Sequence, residues 1–228
     1  RKTMINAFMA FFYILLTIIL FRASIFISNK FKITFLNPIL ITAIMIIIIL
    51  KVFNIPYSEY YMGGSFIISA LGPIVVVLAM PLYKNRYDLM KNFVPIMGGI
   101  TASIITSFIS VTVLCKLFGI DKSIMMSLLS KSITVPMAVE STKLLGGNEG
   151  ITVMAVVLTG LIGAAVAPAV VKLGKIKSNI AKGIGIGSAS HAVGTTKAVE
   201  MNEEAGAASG LAIGVTGLLT IIAVIIFS

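Results

Sequence analysis

Six apolar runs, each close to or above the roughly 20 residues that a helix needs to cross a bilayer, follow one another along this chain. They are Met4 to Phe21, Ile33 to Ile55, Met62 to Leu82, Phe93 to Leu114, Ile151 to Val171 and Ala205 to Phe227. Hydrocarbon offers no partner to a free backbone amide or carbonyl, so such runs must be helical. Composition agrees, with 58% of residues hydrophobic, 11% charged and a mean hydropathy of +1.07. No stretch reads as a soluble domain, a long linker or a low-complexity tail. The expectation is an all-α polytopic membrane protein, one integral membrane domain over residues 1–228. Arg1 and Lys2 precede a run with no short core ending in a small-residue cleavage site, which predicts a retained helix and not a signal peptide.

Two polar stretches interrupt this pattern: Ser130-Lys131-Ser132-Ile133-Thr134-Val135-Pro136, and Gly187 to Lys197 with Ser188, Ser190, His191, Gly194, Thr195 and Thr196. They cut the middles of Lys122 to Leu145 and Ile180 to Met201, two further segments long enough to span. Non-helical polar backbone at membrane depth is tolerated only where protein buries it or water reaches it. The two interruptions are therefore the candidate site, flanked by half-helices.

Basic residues collect in cytoplasmic connections. Arg22, Lys30 and Lys32, then Lys84, Arg86 and Lys91, then Lys172, Lys175, Lys177 and Lys182 fall in the first, third and penultimate connections, with only Asp88 beside them. For all of these to share a face, Lys122 to Leu145 must enter and leave on one side as a re-entrant hairpin. The second broken segment is left open between crossing and re-entry. An internal echo bears on it: Ala138-Val139-Glu140, Asn148-Glu149 and Thr159-Gly160-Leu161 return in order as Ala198-Val199-Glu200, Asn202-Glu203 and Thr216-Gly217-Leu218. A broken segment plus one span, repeated once, would be inverted if the broken part makes no net crossing, the pattern that points to a transporter site. A fainter copy starts at Ser69-Ala70-Leu71-Gly72-Pro73.

A net charge of +10 would suggest nucleic acid in a soluble protein. Here the cations sit at the ends of apolar runs, where orientation explains them, and no nucleic-acid partner is expected. Cys115 is the only cysteine and His191 the only histidine, too few for a nitrogen and sulfur metal shell. No nucleophile elbow, zinc motif or complete dinucleotide fingerprint is present. Neither an enzyme nor a bound cofactor is expected.

Lys131 carries the clearest physical argument, because an ammonium at membrane depth costs at least a few kcal/mol on insertion scales. It marks either an ion pathway or a side chain snorkelling to the interface; the flanking serines favour the pathway. Thr134 and Pro136 are placed to open the second half-helix, whose free N–H groups suit a carboxylate. His191 would suit proton coupling or be a neutral imidazole satisfied by its neighbours. Lys197 with Glu200, and Glu140 with Lys143, have the spacing of ion pairs on one helix face. Gly206, Gly210 and Gly214 predict close helix packing, as do Gly160, Ala164 and Pro168 less strictly.

Several of these stretches together resemble the LrgB/CidB family of bacterial membrane proteins, whose plant relatives include the plastidal glycolate/glycerate translocator. The resemblance covers nearly the whole chain: Asn37-Pro38; Gly72-Pro73 with Leu78 to Lys84; Lys131 to Pro136; Leu145-Gly146-Gly147; and Ala181-Lys182-Gly183 running into Ala189 to Thr195. Ser130, Val135 and Thr196 depart from the family's usual residues. The resemblance implies location in the bacterial cytoplasmic membrane and a smaller LrgA/CidA-type membrane partner. It implies either transport of small monocarboxylates such as pyruvate, lactate or glycolate, or holin- or antiholin-like control of murein hydrolases and lysis. Two matched polar breaks favour transport, with the carboxylate held by Lys131, Ser132, Thr134, Ser190, His191 and Thr195. Pro136, Gly187, Gly194, Gly72 and Pro73 would then be the joints, and homo-oligomers are compatible with this arrangement. Single cysteines at Asn148 and Ser178 should react with an impermeant thiol reagent from opposite faces of the membrane; equal accessibility from one face would refute the topology around the fifth span.

Overall fold

The computed structural model describes residues 2–31, 38–69, 83 and 86–227. Among the described residues every regular element is a helix, with no strand. The helices are α1 (Lys2–Phe31), α2 (Pro38–Val52), α3 (Tyr57–Ser69), α4 (Arg86–Lys91), α5 (Phe93–Leu117), α6 (Lys122–Leu129), α7 (Val135–Leu145), α8 (Glu149–Leu173), α9 (Asn179–Met201) and α10 (Glu203–Phe227). Among the described residues four stretches are long and apolar enough to cross a membrane: Ala7–Lys30, Phe93–Leu117, Glu149–Leu173 and Glu203–Ile226. The first extends well past the expected end at Phe21. No glycine or proline interrupts the chain there, and Arg22 stays exposed on the helix surface. The second apolar run forms a helix of 15 residues. The latter part of the third, with Gly72 and Pro73, lies outside the described residues, as do Asn37 and Lys84.

The chain forms two compact units, Arg1–Ile74 and Val75–Ser228. In the first, α1 packs on both α2 and α3. Between apolar helices in lipid, close approach and polar contacts replace hydrophobic drive, and both appear. Gly63 lets α3 settle against the Ala10 carbonyl and Tyr13, where a Cβ would lie 2.7 and 2.8 Å away. Thr17 Oγ1 and Tyr60 OH share a hydrogen bond of 3.0 Å, and Thr42 Oγ1 donates to Ser24 Oγ at 2.9 Å.

The second unit holds both broken segments. In the first, Asp121 caps α6 by accepting from Ser123 N at 2.7 Å, and the helix stops at Leu129. Thr134 then occupies the N-cap of α7 in extended backbone, with Pro136 in its first turn. Proline costs nothing there because its missing N–H would be unpaired anyway. Gly146, at φ 68°, ends α7 in the left-handed conformation that glycine adopts without a Cβ clash. The segment folds back on itself: Asn148 N, just beyond α7, donates to Ser127 Oγ of α6 at 2.7 Å, and Thr152 Oγ1 donates to the Ser127 carbonyl at 2.9 Å.

The second broken segment also folds back, at a single residue. His191 has φ 44° and ψ −142° inside α9, a region that a non-glycine residue occupies only where its surroundings hold it. A Cβ on Gly194 would lie 3.0 Å from Ile186 Cγ2, although a straight helix would separate these positions by about 12 Å. Asn179 Nδ2 at the start of α9 donates to Glu204 Oε2 at the start of α10, 3.0 Å away. Both ends of the segment therefore lie together. Gly187 and Gly194 sit in helical backbone on either side of the turn at His191.

The two hairpins stem from opposite ends of α8, the first from beside Asn148 and the second from just beyond Leu173. Ile96 and Ile100 of α5 meet Ile184 of α9 and Leu211, Ala212 and Val215 of α10 in one buried cluster. Glycines on α9 bring it close against α10: at Gly183 a Cβ would run into the Ala205 carbonyl and lie 2.7 Å from Ala208 Cβ. The expected stripe on α10 behaves differently. Gly206 packs against Val199, while Gly210 faces open space, because the contact is set by which helix turns its small residues inward. Gly183→Ala should lower thermal stability in detergent by about 1–3 kcal/mol through overpacking. Gly210→Ala should leave it unchanged or raise it by up to about 1 kcal/mol through helix propensity; equal losses in both would contradict this packing.

Candidate functional site

Both hairpin tips come to rest around Val156 on α8. Its side chain is buried in a cluster with Ile133, Met137 and Ala138 of the first hairpin. Its carbonyl lies 2.9 Å from His191 Nε2 of the second. A carbonyl can only accept, so Nε2 carries the proton. Gly160 makes room for the ring: a Cβ there would lie 2.6 Å from His191 Cε1 and 3.0 Å from Nε2. Gly163, one turn on, leaves the space that the Ser190 hydroxyl fills. On α10, Gly217 receives Met137 of the first hairpin in the same manner. The two Thr-Gly-Leu stretches thus each seat a hairpin: Gly160 that of His191, Gly217 that of Met137.

Beside the tips lies a cavity of about 830 Å3. Ser103, Thr106, Ser107 and Ser110 form one wall, on α5. Opposite them stand Thr159 and Gly163 of α8 with Ser188 and Ser190 of α9; Lys131 and Ser132 enter from the first tip. The cavity reaches Asn92 and Ser178 at the end of the unit where α9 begins, and Ser178 is exposed there. Lys131 Nζ donates to Ser107 Oγ at 3.3 Å and to Ser132 Oγ at 3.4 Å. Among the described residues no carboxylate lines the cavity, and Lys131 has no ion pair. The cavity therefore presents one ammonium and a set of hydroxyl donors, the complement of a small anion.

Of the residues singled out from the sequence, Lys131, Ser132 and Ser190 line this cavity. His191, Thr134 and Thr195 do not. Thr195 Oγ1 donates to the His191 carbonyl at 2.9 Å and shares a 2.8 Å hydrogen bond with Ser209 Oγ, tying the second hairpin to α10. Thr134 is buried, with its hydroxyl unpartnered. Lys143 with Glu140, and Lys197 with Glu200, form exposed ion pairs at 2.8 and 2.7 Å, worth little in isolation. The α5 hydroxyls were missed. Their signal is a polar stripe at helical spacing, Ser103, Thr106, Ser107 and Ser110, inside an otherwise apolar run.

Long apolar helices around a cavity into which one ammonium and several hydroxyls project define a multi-pass membrane protein. The model of the LrgB-like family matches residues 17–228, and the chain belongs to that family. YxaC of Bacillus subtilis is 39% identical over 94% of this chain and 93% of its own length. The holin-like protein CidB of Staphylococcus aureus is 38% identical over 92% of each chain, and CidB of Staphylococcus epidermidis 39% over 91% of this chain and 90% of its own. No solved structure matches the chain. These relatives make it a multi-pass bacterial membrane protein.

Gly160→Ala should cost about 1–3 kcal/mol by displacing the His191 ring. Combined with His191→Ala, the two losses should be less than additive by about 0.5–3 kcal/mol, as for groups in direct contact. Thermal unfolding in detergent measures this, and strict additivity would show that the notch does not hold the ring.

Proposed function

We propose that the protein carries small monocarboxylates of the pyruvate, lactate and glycolate class across the membrane. Lys131 pairs with the carboxylate, while Ser132, Ser190 and the α5 hydroxyls Ser107 and Ser103 bond its oxygens. The observation that carries this reading is an ammonium that no carboxylate pairs among the described residues, facing a cavity into which several hydroxyls project. An isolated charge of this kind is expensive in a membrane and typical of an ion pathway. His191 acts here by fixing the tip of the second hairpin, and Thr195 by bracing it; Thr134 stands behind the first tip.

The proposed topology has six spans and two re-entrant hairpins that enter from opposite faces. In it the hairpins and the spans that follow them form an inverted repeat within one membrane domain, and a smaller LrgA/CidA-type protein is the partner. The reciprocal seating of each hairpin on the other copy's span supports this arrangement. A second reading, holin- or antiholin-like control of murein hydrolases and lysis, is favoured by the name of the CidB relatives.

Uptake of labelled pyruvate, lactate and glycolate into proteoliposomes, with and without the smaller partner, tests the first reading. Saturable uptake of at least one acid is expected, with Lys131→Ala reducing it at least about tenfold, the equivalent of about 1.4 kcal/mol. Absence of saturable uptake for every acid, or full activity in the variant, would overturn it. Release of a trapped dye from the same vesicles would favour the holin-like reading.

A further inference from the structure

A second, much smaller space lies behind the tip of the first hairpin. It is a void of about 10 Å3, room for about one water molecule. Ser103, Ser107, Ser132 and Ser188 line both this void and the large cavity, so one layer of hydroxyls separates them. The far wall is Thr216 and Thr220 of α10. Both are buried, at 2% and 3% exposure, and Thr216 Oγ1 has no hydrogen-bond partner. A buried hydroxyl left unpaired is costly and calls for an explanation such as a ligand or a second state that satisfies it.

The sequence echo relates the two spaces. The cavity's wall on α8 includes Thr159 and Gly163, beside Ile162; the void's wall on α10 is Thr216 and Thr220, and the two pairs are offset by the same 57 residues. Both spaces touch both tips, the cavity through Lys131, Ser132, Ser188 and Ser190 and the void through Ser132, Ile133 and Ser188. Each space therefore lies between the two tips, the span that follows one of the hairpins, and the shared hydroxyl face of α5. One measures about 830 Å3 and the other about 10 Å3.

We infer that the void is the shut, opposite-face exit of the substrate route, and that Thr216 and Thr220 hold the carboxylate there when the first hairpin and α10 part. The inference rests on the transport reading above. Alternating access requires two such gates around one site, open in turn. In the structure the gate on the Ser178 side is open and the other closed. Thr216 Oγ1, unpartnered now, donates to the anion in the other state.

Two isosteric sets of variants test this, in protein whose Cys115 is replaced by alanine. Thr220→Cys and Thr216→Cys in oriented vesicles should react with a small anionic, impermeant thiol reagent from the Asn148 face at least about tenfold faster than from the Ser178 face, with Thr159→Cys showing the reverse preference, as opposed gates require. Reaction of both α10 cysteines chiefly from the Ser178 face, or from neither face while uptake persists, would overturn the inference. Thr216→Val should cut carboxylate uptake at least about fivefold without lowering thermal stability, since it removes a hydroxyl made useful only by substrate; wild-type uptake would also overturn it. Labelling as expected with no uptake of any acid would leave the two gates standing and remove only the carboxylate assignment.

Discussion

A polar break inside a membrane protein must be packed within the protein, and both breaks here dock on one stretch of α8. Val156 gives its side chain to the first hairpin and its carbonyl to the second. Gly160 and Gly163 give up their own volume so that His191 and Ser190 can approach the helix. The strained turn at His191 persists because the ring is clamped on one side and Thr195 braces its carbonyl on the other. Without that docking, the half-helices would expose unpaired amides and carbonyls to lipid, each at a cost of several kcal/mol.

The same docking produces the site. Bringing two tips together leaves a gap beside them, into which the hydroxyl residues of α5 and of the tips project among apolar side chains such as Ile162 and Ile184. Lys131 enters this gap without a carboxylate to neutralise it. A lysine paired with Asp or Glu would be a structural element; one facing hydroxyls is left with a favourable interaction still to make. The proposed carboxylate completes that pair, and the narrow hydroxyl layer around Ser107 and Ser132 becomes the point at which the route is either open or shut.

Much of this was legible in the chain, because lipid permits so few backbone solutions. Apolar runs had to be helices, and the Thr134 to Pro136 start and the Gly146 end of α7 follow from capping chemistry that acts within a few residues. Lys131 was visible as an isolated charge in an apolar background. The α5 hydroxyls were harder to see, since serine and threonine in a membrane helix can also bond back to their own carbonyls, as Ser110 does to Ser107 at 2.9 Å. His191 was prominent as the only histidine, yet its neighbours in sequence say nothing about Val156, which contacts it from 35 residues away.

By itself the sequence determined the helical architecture, the positions of the two breaks and the cation between serines, since each depends on hydropathy and capping over short distances. Only the tertiary structure decided that the second broken segment turns back at His191, that its ring docks on α8, and that Lys131 faces the hydroxyls of α5. These depend on which surfaces meet when helices pack, and a glycine or serine reads the same in sequence whether it faces lipid or another backbone.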